Sequence, residues 1–282
     1  MTQMKNAADQ VAKTAVVLVG IPFDLQSTFM RGPALAPARI REVLHAGATN
    51  LCAETGIDLG ASKILHDRGD IEIDNENESV WIDVIAEKIS DFLQTDTPVL
   101  TLGGDHAITY PIVKAYAQKY KSLTILQLDA HPDLYDHYEG NHFAHACPFA
   151  RIMEENLADR LIQIGIRTLN PHQKEQAERF GVEIIEMRHF ALDLIPRIDT
   201  PVYLSIDLDV LDPAYAPGVS HHEPGGMSTR QVIEIIQRLE APLVGADIVE
   251  YNPKRDPTEV TAMVAVKLLK EIAARMVEQA EN

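Results

Sequence analysis

Short apolar runs alternate with stretches of helical periodicity along the whole chain. Val16–Gly20 is β-branched and apolar, and similar runs stand at Pro98–Leu102, Leu123–Leu128, Leu161–Gly165, Val182–Ile185, Val202–Ile206 and Leu243–Val249. Runs this short, apolar throughout rather than alternating, fit strands of a parallel sheet buried on both faces. Between them apolar residues recur at helical spacing. Examples are Ile40, Val43 and Leu44 after Pro37, the set Trp81, Val84, Ile85, Ile89 and Phe92, and Val232, Ile235, Ile236 and Leu239. Further helices are expected over 109–120, 151–157 and 171–180. Ser228-Thr229-Arg230-Gln231 fits a capping box. Asp256-Pro257-Thr258-Glu259 reads as an N-cap, a first-turn proline and an N3 acid opening the last helix, which runs to about Gln279. Strand–helix alternation of this kind predicts an α/β fold with a mainly parallel sheet of about eight strands. Residues 45–80 are the least legible, with Asp67–Asp70 read as a turn and Asp74–Ser79 as a solvated acidic loop. No repeat, linker or low-complexity tract divides the chain, so 1–282 is read as a single domain.

Composition narrows the function. The longest apolar runs are strand-sized, which gives no transmembrane helix and no membrane partner. A net charge of −17, from 25 basic against 42 acidic residues, excludes nonspecific nucleic-acid binding and suits a small cationic substrate. The cysteines, Cys52 and Cys147, form no CxxC pair. The expectation is a reducing compartment, read as the cytoplasm. Lys5 and Lys13 before Ala15–Phe23 imitate a leader, but Pro22 and Asp24 interrupt the run, which is read as the first strand.

The chemistry collects at strand ends. The run 123–128 closes in Asp129-Ala130-His131-Pro132-Asp133. In extended backbone, positions i, i+2 and i+4 point to one side, so two carboxylates and an imidazole would converge as donors for a divalent metal. His106, Asp207 and Glu250 likewise follow directly on runs 98–102, 202–206 and 243–249. Ligands of open parallel sheets bind beyond the carboxyl ends of the strands, so these groups point to one place. Asp207-Leu208-Asp209 repeats the spacing of two. Together His106, Asp129, His131, Asp133, Asp207 and Asp209 offer imidazoles and carboxylates without thiolate. The set exceeds the needs of one zinc and suits two manganese-type ions roughly 3.5–4 Å apart; nickel suits the same donors.

Gly103-Gly104-Asp105-His106, Asp129–Asp133 and Ser205-Ile206-Asp207-Leu208-Asp209-Val210-Leu211-Asp212-Pro213 resemble the signature blocks of the ureohydrolases, the arginase and agmatinase family. Gly20–Asp24, Gly32, Pro37 and Arg41 near the start resemble the family too, as does Asp247–Pro253 near the end. The resemblance implies a three-layer α/β/α sandwich and a pair of manganese ions per subunit. His106, Asp129, Asp133 and Asp207 would hold one ion, and Asp129, His131, Asp207 and Asp209 the other. Glu250 would hold a substrate guanidinium, with His145 and Asp133 handling protons as urea and an amine are released. It also implies a homo-oligomer, trimer or hexamer.

The substrate's far end falls on less regular sequence. His142, in the loop before His145, and His222, of the pair His221-His222, are the candidate contacts. The loop Tyr138–Ala144 lacks the Asn/Ser character of arginase-like chains, and Glu223-Pro224-Gly225-Gly226 looks like agmatinases. The expected substrate is therefore agmatine, giving putrescine. Arginase, guanidinobutyrase or another amidinohydrolase is the alternative. A metal-dependent deacetylase and a non-catalytic binding subunit are the rivals from other classes.

Overall fold

The computed structural model describes residues 15–61, 64–73 and 80–281. Its strands are β1 (Val16–Gly20), β2 (Leu65–Asp70), β3 (Val99–Leu102), β4 (Thr124–Leu128), β5 (Arg160–Ile166), β6 (Glu183–Glu186), β7 (Val202–Asp207) and β8 (Leu243–Val249). They form one sheet in the order β2-β1-β3-β8-β7-β4-β5-β6, and every pairing is parallel. The helices are α1 (Ala36–His45), α2 (Trp81–Phe92), α3 (Thr109–Lys119), α4 (Pro148–Glu154), α5 (Pro171–Phe180), α6 (Thr229–Arg238) and α7 (Val260–Glu281).

Side chains alternate across each strand, and the two faces build two cores. Val16, Leu18, Leu100, Leu126, Leu204 and Ile248 pack with Ile40 of α1, Ile236 of α6 and Leu269 of α7. Val17, Val19, Val99, Ile125 and Tyr203 pack with Ile85 of α2, Val113 of α3 and Ile152 of α4. That is the three-layer sandwich. Burying one such branched side chain contributes about 1.5–3 kcal/mol, so the central strands are the rigid part of the molecule.

Three local expectations are corrected. Asp67–Asp70, read as a turn, is the C-terminal part of β2. As an edge strand it carries exposed charge instead of an apolar run, a common guard against edge pairing. Arg41 of α1 clips it by bonding Asp67 at 2.8 Å and also Asp70. The helix expected over 151–157 starts earlier, on Pro148, with proline at its first turn. The last helix starts at Val260 rather than Pro257. Glu259 has φ 61°, a left-handed value that no helix continues through. Asp256 instead accepts the amide of Ala262 at 2.9 Å. The capping box at Ser228 is present as expected. The acidic stretch 74–79 and the lysines at 5 and 13 lie outside the described residues.

For function, what matters is the centre of the sheet. β3, β8, β7 and β4 are neighbours, and their carboxyl ends carry His106, Glu250, Asp207 and Asp129.

Candidate metal centre

His106 opens a short 3-10 turn just past β3, capped by Asp105, which accepts the Ala107 amide at 3.2 Å. Gly104 makes this possible, since a Cβ there would lie 1.7 Å from the Phe23 carbonyl oxygen. Asp207 ends β7 and accepts the Asp209 amide at 2.8 Å, so both carboxylates turn into the same space.

Asp129, His131 and Asp133 also converge there, but not by strand alternation. β4 stops at Leu128, and the next residues fold back as a loop. Asp129 accepts the His131 amide at 2.6 Å. Gln127 donates to the Asp129 carboxylate at 2.7 Å and to the His131 carbonyl at 3.1 Å, while Gln163 donates to the Pro132 carbonyl at 2.6 Å. Asp133 sits at φ 49°. Two buried glutamines on adjacent strands thus shape the loop and present its carboxylates.

The result is a pair of cradles sharing Asp129. In the first, His106 Nδ1 lies 3.1 Å from Asp129 Oδ2, 3.1 Å from Asp133 Oδ2 and 3.3 Å from Asp207 Oδ2. In the second, His131 Nδ1 lies 2.9 Å from Asp209 Oδ2 and 3.6 Å from Asp129 Oδ1.

The first cradle passes a test for a cation. Ser205 Oγ donates its single proton to Asp247 at 2.7 Å, and Asp247 also accepts from Tyr203 and Thr109 at 2.7 and 2.8 Å. Ser205 can then only accept from His106 Nε2, 2.9 Å away, so Nε2 carries the proton. Nδ1 is left buried, without a hydrogen-bond partner among the described residues, facing carboxylate oxygens. Lone pairs converging on one point call for a cation. The electrostatics agree. Burial pulls His106 down, but the adjacent Asp129, Asp133 and Asp207 carboxylates outweigh it and push the imidazole well above its usual value. Asp133 is raised to about 6 by burial and by Asp129, and Asp207 is raised by burial and by Asp209 and Asp129. Buried carboxylates this close cannot all stay ionised without positive charge among them. The hard oxygen and imidazole donors fit divalent ions of the manganese or nickel type.

Glu250 forms the wall beside the cradles. Its backbone is left-handed, φ 62°. Oε1 accepts the His106 amide at 2.9 Å and pairs with His145 Nδ1 at 2.7 Å, leaving Oε2 without a hydrogen bond to the described residues. On its other side, His145 Nε2 lies 2.8 Å from the Thr28 hydroxyl. Burial pulls His145 down, but the charge and hydrogen bond of Glu250 outweigh it and raise it to about 9. A cavity of about 230 Å³ opens over these groups, lined also by Tyr135, Tyr138, Gln173, His221 and Glu223. Its size suits a small molecule.

Two expected contacts are not in this wall. His142 is exposed and faces the Asp136 carbonyl at 2.9 Å, with Arg151 Nη1 3.1 Å away. His222 is exposed and bonds the Pro217 carbonyl at 2.7 Å. The residue before it, His221, lines the cavity instead. The sequence reading also passed over Thr28, Ser205 and Gln127. Gln127 carries a signal in hindsight, a lone amide in a mostly apolar strand, two positions from a ligand.

Comparison with known proteins agrees with this geometry. The profile of the arginase family matches residues 14–274. Arginase 1, mitochondrial, of Arabidopsis thaliana is 46% identical over 94% of this chain and 82% of its own length. An agmatinase of Bacillus cereus is 33% identical over 92% of this chain and 91% of its own length. The solved arginase from Medicago truncatula superposes with a TM-score of 0.86 at 41% identity, covering 93% of this chain and 87% of that one. The cytoplasmic placement is corrected by the same findings, because the Arabidopsis and rice relatives are mitochondrial by name. Free thiols report a reducing environment, and the cytoplasm is not the only compartment that provides one.

Proposed function

The chain belongs to the arginase family and is a metal-dependent amidinohydrolase, and from that premise we propose that its substrate is arginine, cleaved to urea and ornithine. One observation carries the choice: relatives named arginase reach 46% identity, against 33% for those named agmatinase. Agmatine, first expected from Glu223–Gly226, loses its support for a physical reason. Gly225 and Gly226 donate their amides to Asp212 at 2.7 and 3.3 Å, and the Glu223 carbonyl accepts Arg167 at 2.6 Å. These residues serve the folding of their own loop, so their likeness to agmatinases says little about the substrate's head group. Family membership also removes the deacetylase and the non-catalytic subunit.

In this reading His106, Asp129, Asp133 and Asp207 hold one manganese, and Asp129, His131, Asp207 and Asp209 the other. Bound there, the ions supply a water made nucleophilic near neutral pH and offset the carboxylate charge. The chain's own groups do the rest. Glu250, with Oε2 free, orients the planar cation so that its central carbon faces the cradles. Asp133 takes up the proton of the attacking water. His145, held at Nδ1 by Glu250, passes a proton from Nε2 to the nitrogen of the departing amine, the water's second proton, shed as the carbonyl of urea forms, completes the product's ammonium group, and the proton on Asp133 recharges His145. The guanidino carbon gains the water oxygen and loses the alkyl nitrogen, and the protons balance. The reading treats the chain as one catalytic unit assembling into a trimer or hexamer, which light scattering in solution tests.

The central experiment is urea release from arginine, agmatine and guanidinobutyrate with manganese or nickel bound. Arginine should give the highest kcat/KM, with manganese at least as effective as nickel. A higher kcat/KM for agmatine would overturn the substrate assignment.

A further inference from the structure

We propose that His221 binds the substrate's guanidinium through the lone pair of its Nε2. The inference rests on the amidinohydrolase reading of the site and adds a contact to it.

His221 stands between the groups that matter. Its ring centroid lies 5.3 Å from that of His145 and 5.9 Å from that of His131. From its loop the ring therefore faces the reacting end of the cavity. Its backbone is fixed on both sides. Val219 pairs with Tyr251, next to Glu250, and Ser220 is held by Asn252 Nδ2 at 2.9 Å. Beyond it, the Glu223 carbonyl takes two nitrogens of Arg167, at 2.6 and 2.9 Å. Phe29 covers the ring from outside at 5.4 Å. Yet Nε2 is buried and has no hydrogen-bond partner among the described residues. A buried nitrogen without a partner costs free energy unless something else meets it.

Donor counting says what that is. A guanidinium carries N–H donors on every nitrogen and no acceptor. Glu250 has only Oε2 to offer, because Oε1 already takes the His106 amide and His145. One free carboxylate oxygen leaves most of the donors without a protein acceptor. A nitrogen facing such a cation can contribute only as an acceptor, so His221 takes the Nδ1–H tautomer and presents Nε2 unprotonated. An amide oxygen at the same reach would serve equally. A phenyl ring would fill the same space and serve not at all.

The manganese-loaded protein with His221→Phe and His221→Gln provides the test. Arginine turnover is read as kcat and KM, and binding of guanidinium ion itself is read by calorimetry. His221→Phe should lower kcat/KM and weaken guanidinium binding by about 10–100-fold, the scale of one hydrogen bond to a charged group, with much of the kinetic loss in KM. His221→Gln should recover most of both. A folded His221→Phe protein that binds and turns over like the parent would overturn the proposal, as would a Gln variant no better than Phe. Should the Phe variant fail to fold, His221→Ala against His221→Gln makes the same comparison. If the parent releases urea from no guanidino compound, the substrate reading falls by itself, while the guanidinium titration still decides His221.

Discussion

The floor and the rim of the cavity are built on different principles. The floor residues Asp129, His106, Asp207 and Glu250 sit at the ends of four adjacent central strands and are all buried. Their positions follow from a sheet that cannot move without disturbing both cores. The rim is made of loops around Thr28, residues 135–145 and residues 218–226, each anchored by a few long-range hydrogen bonds, such as Asn141 Nδ2 to Gln26 Oε1 at 2.6 Å. The floor fixes which reaction is run, and the rim tunes what is admitted. That division sorts substitutions by their size of effect.

The largest effects belong on the floor. Asp207→Ala or His131→Ala removes a donor from a cradle and should cut urea release by at least about a thousandfold, well beyond the ~10–100-fold typical of outer supports. Metal content by elemental analysis should fall with it. Full activity in either variant would show that the floor is not the reaction centre. The supports come next. Ser205→Ala frees His106 Nε2, and Gln127→Ala frees both the Asp129 carboxylate and the loop beyond it. Each should weaken metal binding by about 10–100-fold while leaving the fold intact, measured by competition with a chelator. An unchanged affinity would mean that the cradles are set by their ligands alone.

The same division explains what could be read from the sequence. Buried parallel strands announce themselves as apolar runs, so the sheet and the groups at its ends were legible without contacts. β2 was not, because an edge strand carrying Asp67 and Asp70 has no apolar signature. Asp129, His131 and Asp133 come close together, but not for the reason expected, strand alternation. The side chains meet because Gln127 and Gln163 fold the loop back, and those bonds couple residues on neighbouring strands that no local pattern links. On the rim the error was one residue. His221 and His222 are adjacent and alike, and which one faces the cavity depends on the Val219–Tyr251 bridge and on the Pro217 carbonyl. A single chain segment carries no trace of either.

His145 lies on the seam between the two regions, tied to Glu250 on the floor and Thr28 on the rim, and its proton gives a smaller, pH-dependent effect. Burial lowers its pKa, but Glu250 prevails and raises it from 6.5 to about 9. A group whose folded value is raised lends stability that is fully present below the unfolded value and is lost as the pH rises through the folded one. In metal-free protein that stability is therefore complete below pH 6.5 and gone above about 9. Between those limits Tm should fall more steeply in the parent than in His145→Asn. Parallel curves would mean that the Glu250 pairing does not hold the proton.

The smallest effects sharpen the comparison most, because they fall on residues that look functional by type and position. His222→Ala removes a bond to the Pro217 carbonyl, and His142→Ala removes contacts with the Asp136 carbonyl, Arg151 and the His137 ring. Both side chains are exposed, so water replaces what is lost. Each variant should keep kcat/KM for arginine within about twofold and shift stability by no more than about 0.5 kcal/mol, the ordinary range for surface changes. A loss of tenfold or more in His222→Ala, with the loop still folded, would mean that the 218–226 segment rearranges to bring His222 inward. The rim would then be a moving part rather than a fixed wall, and the orientation assigned to His221 would apply to only one of its positions.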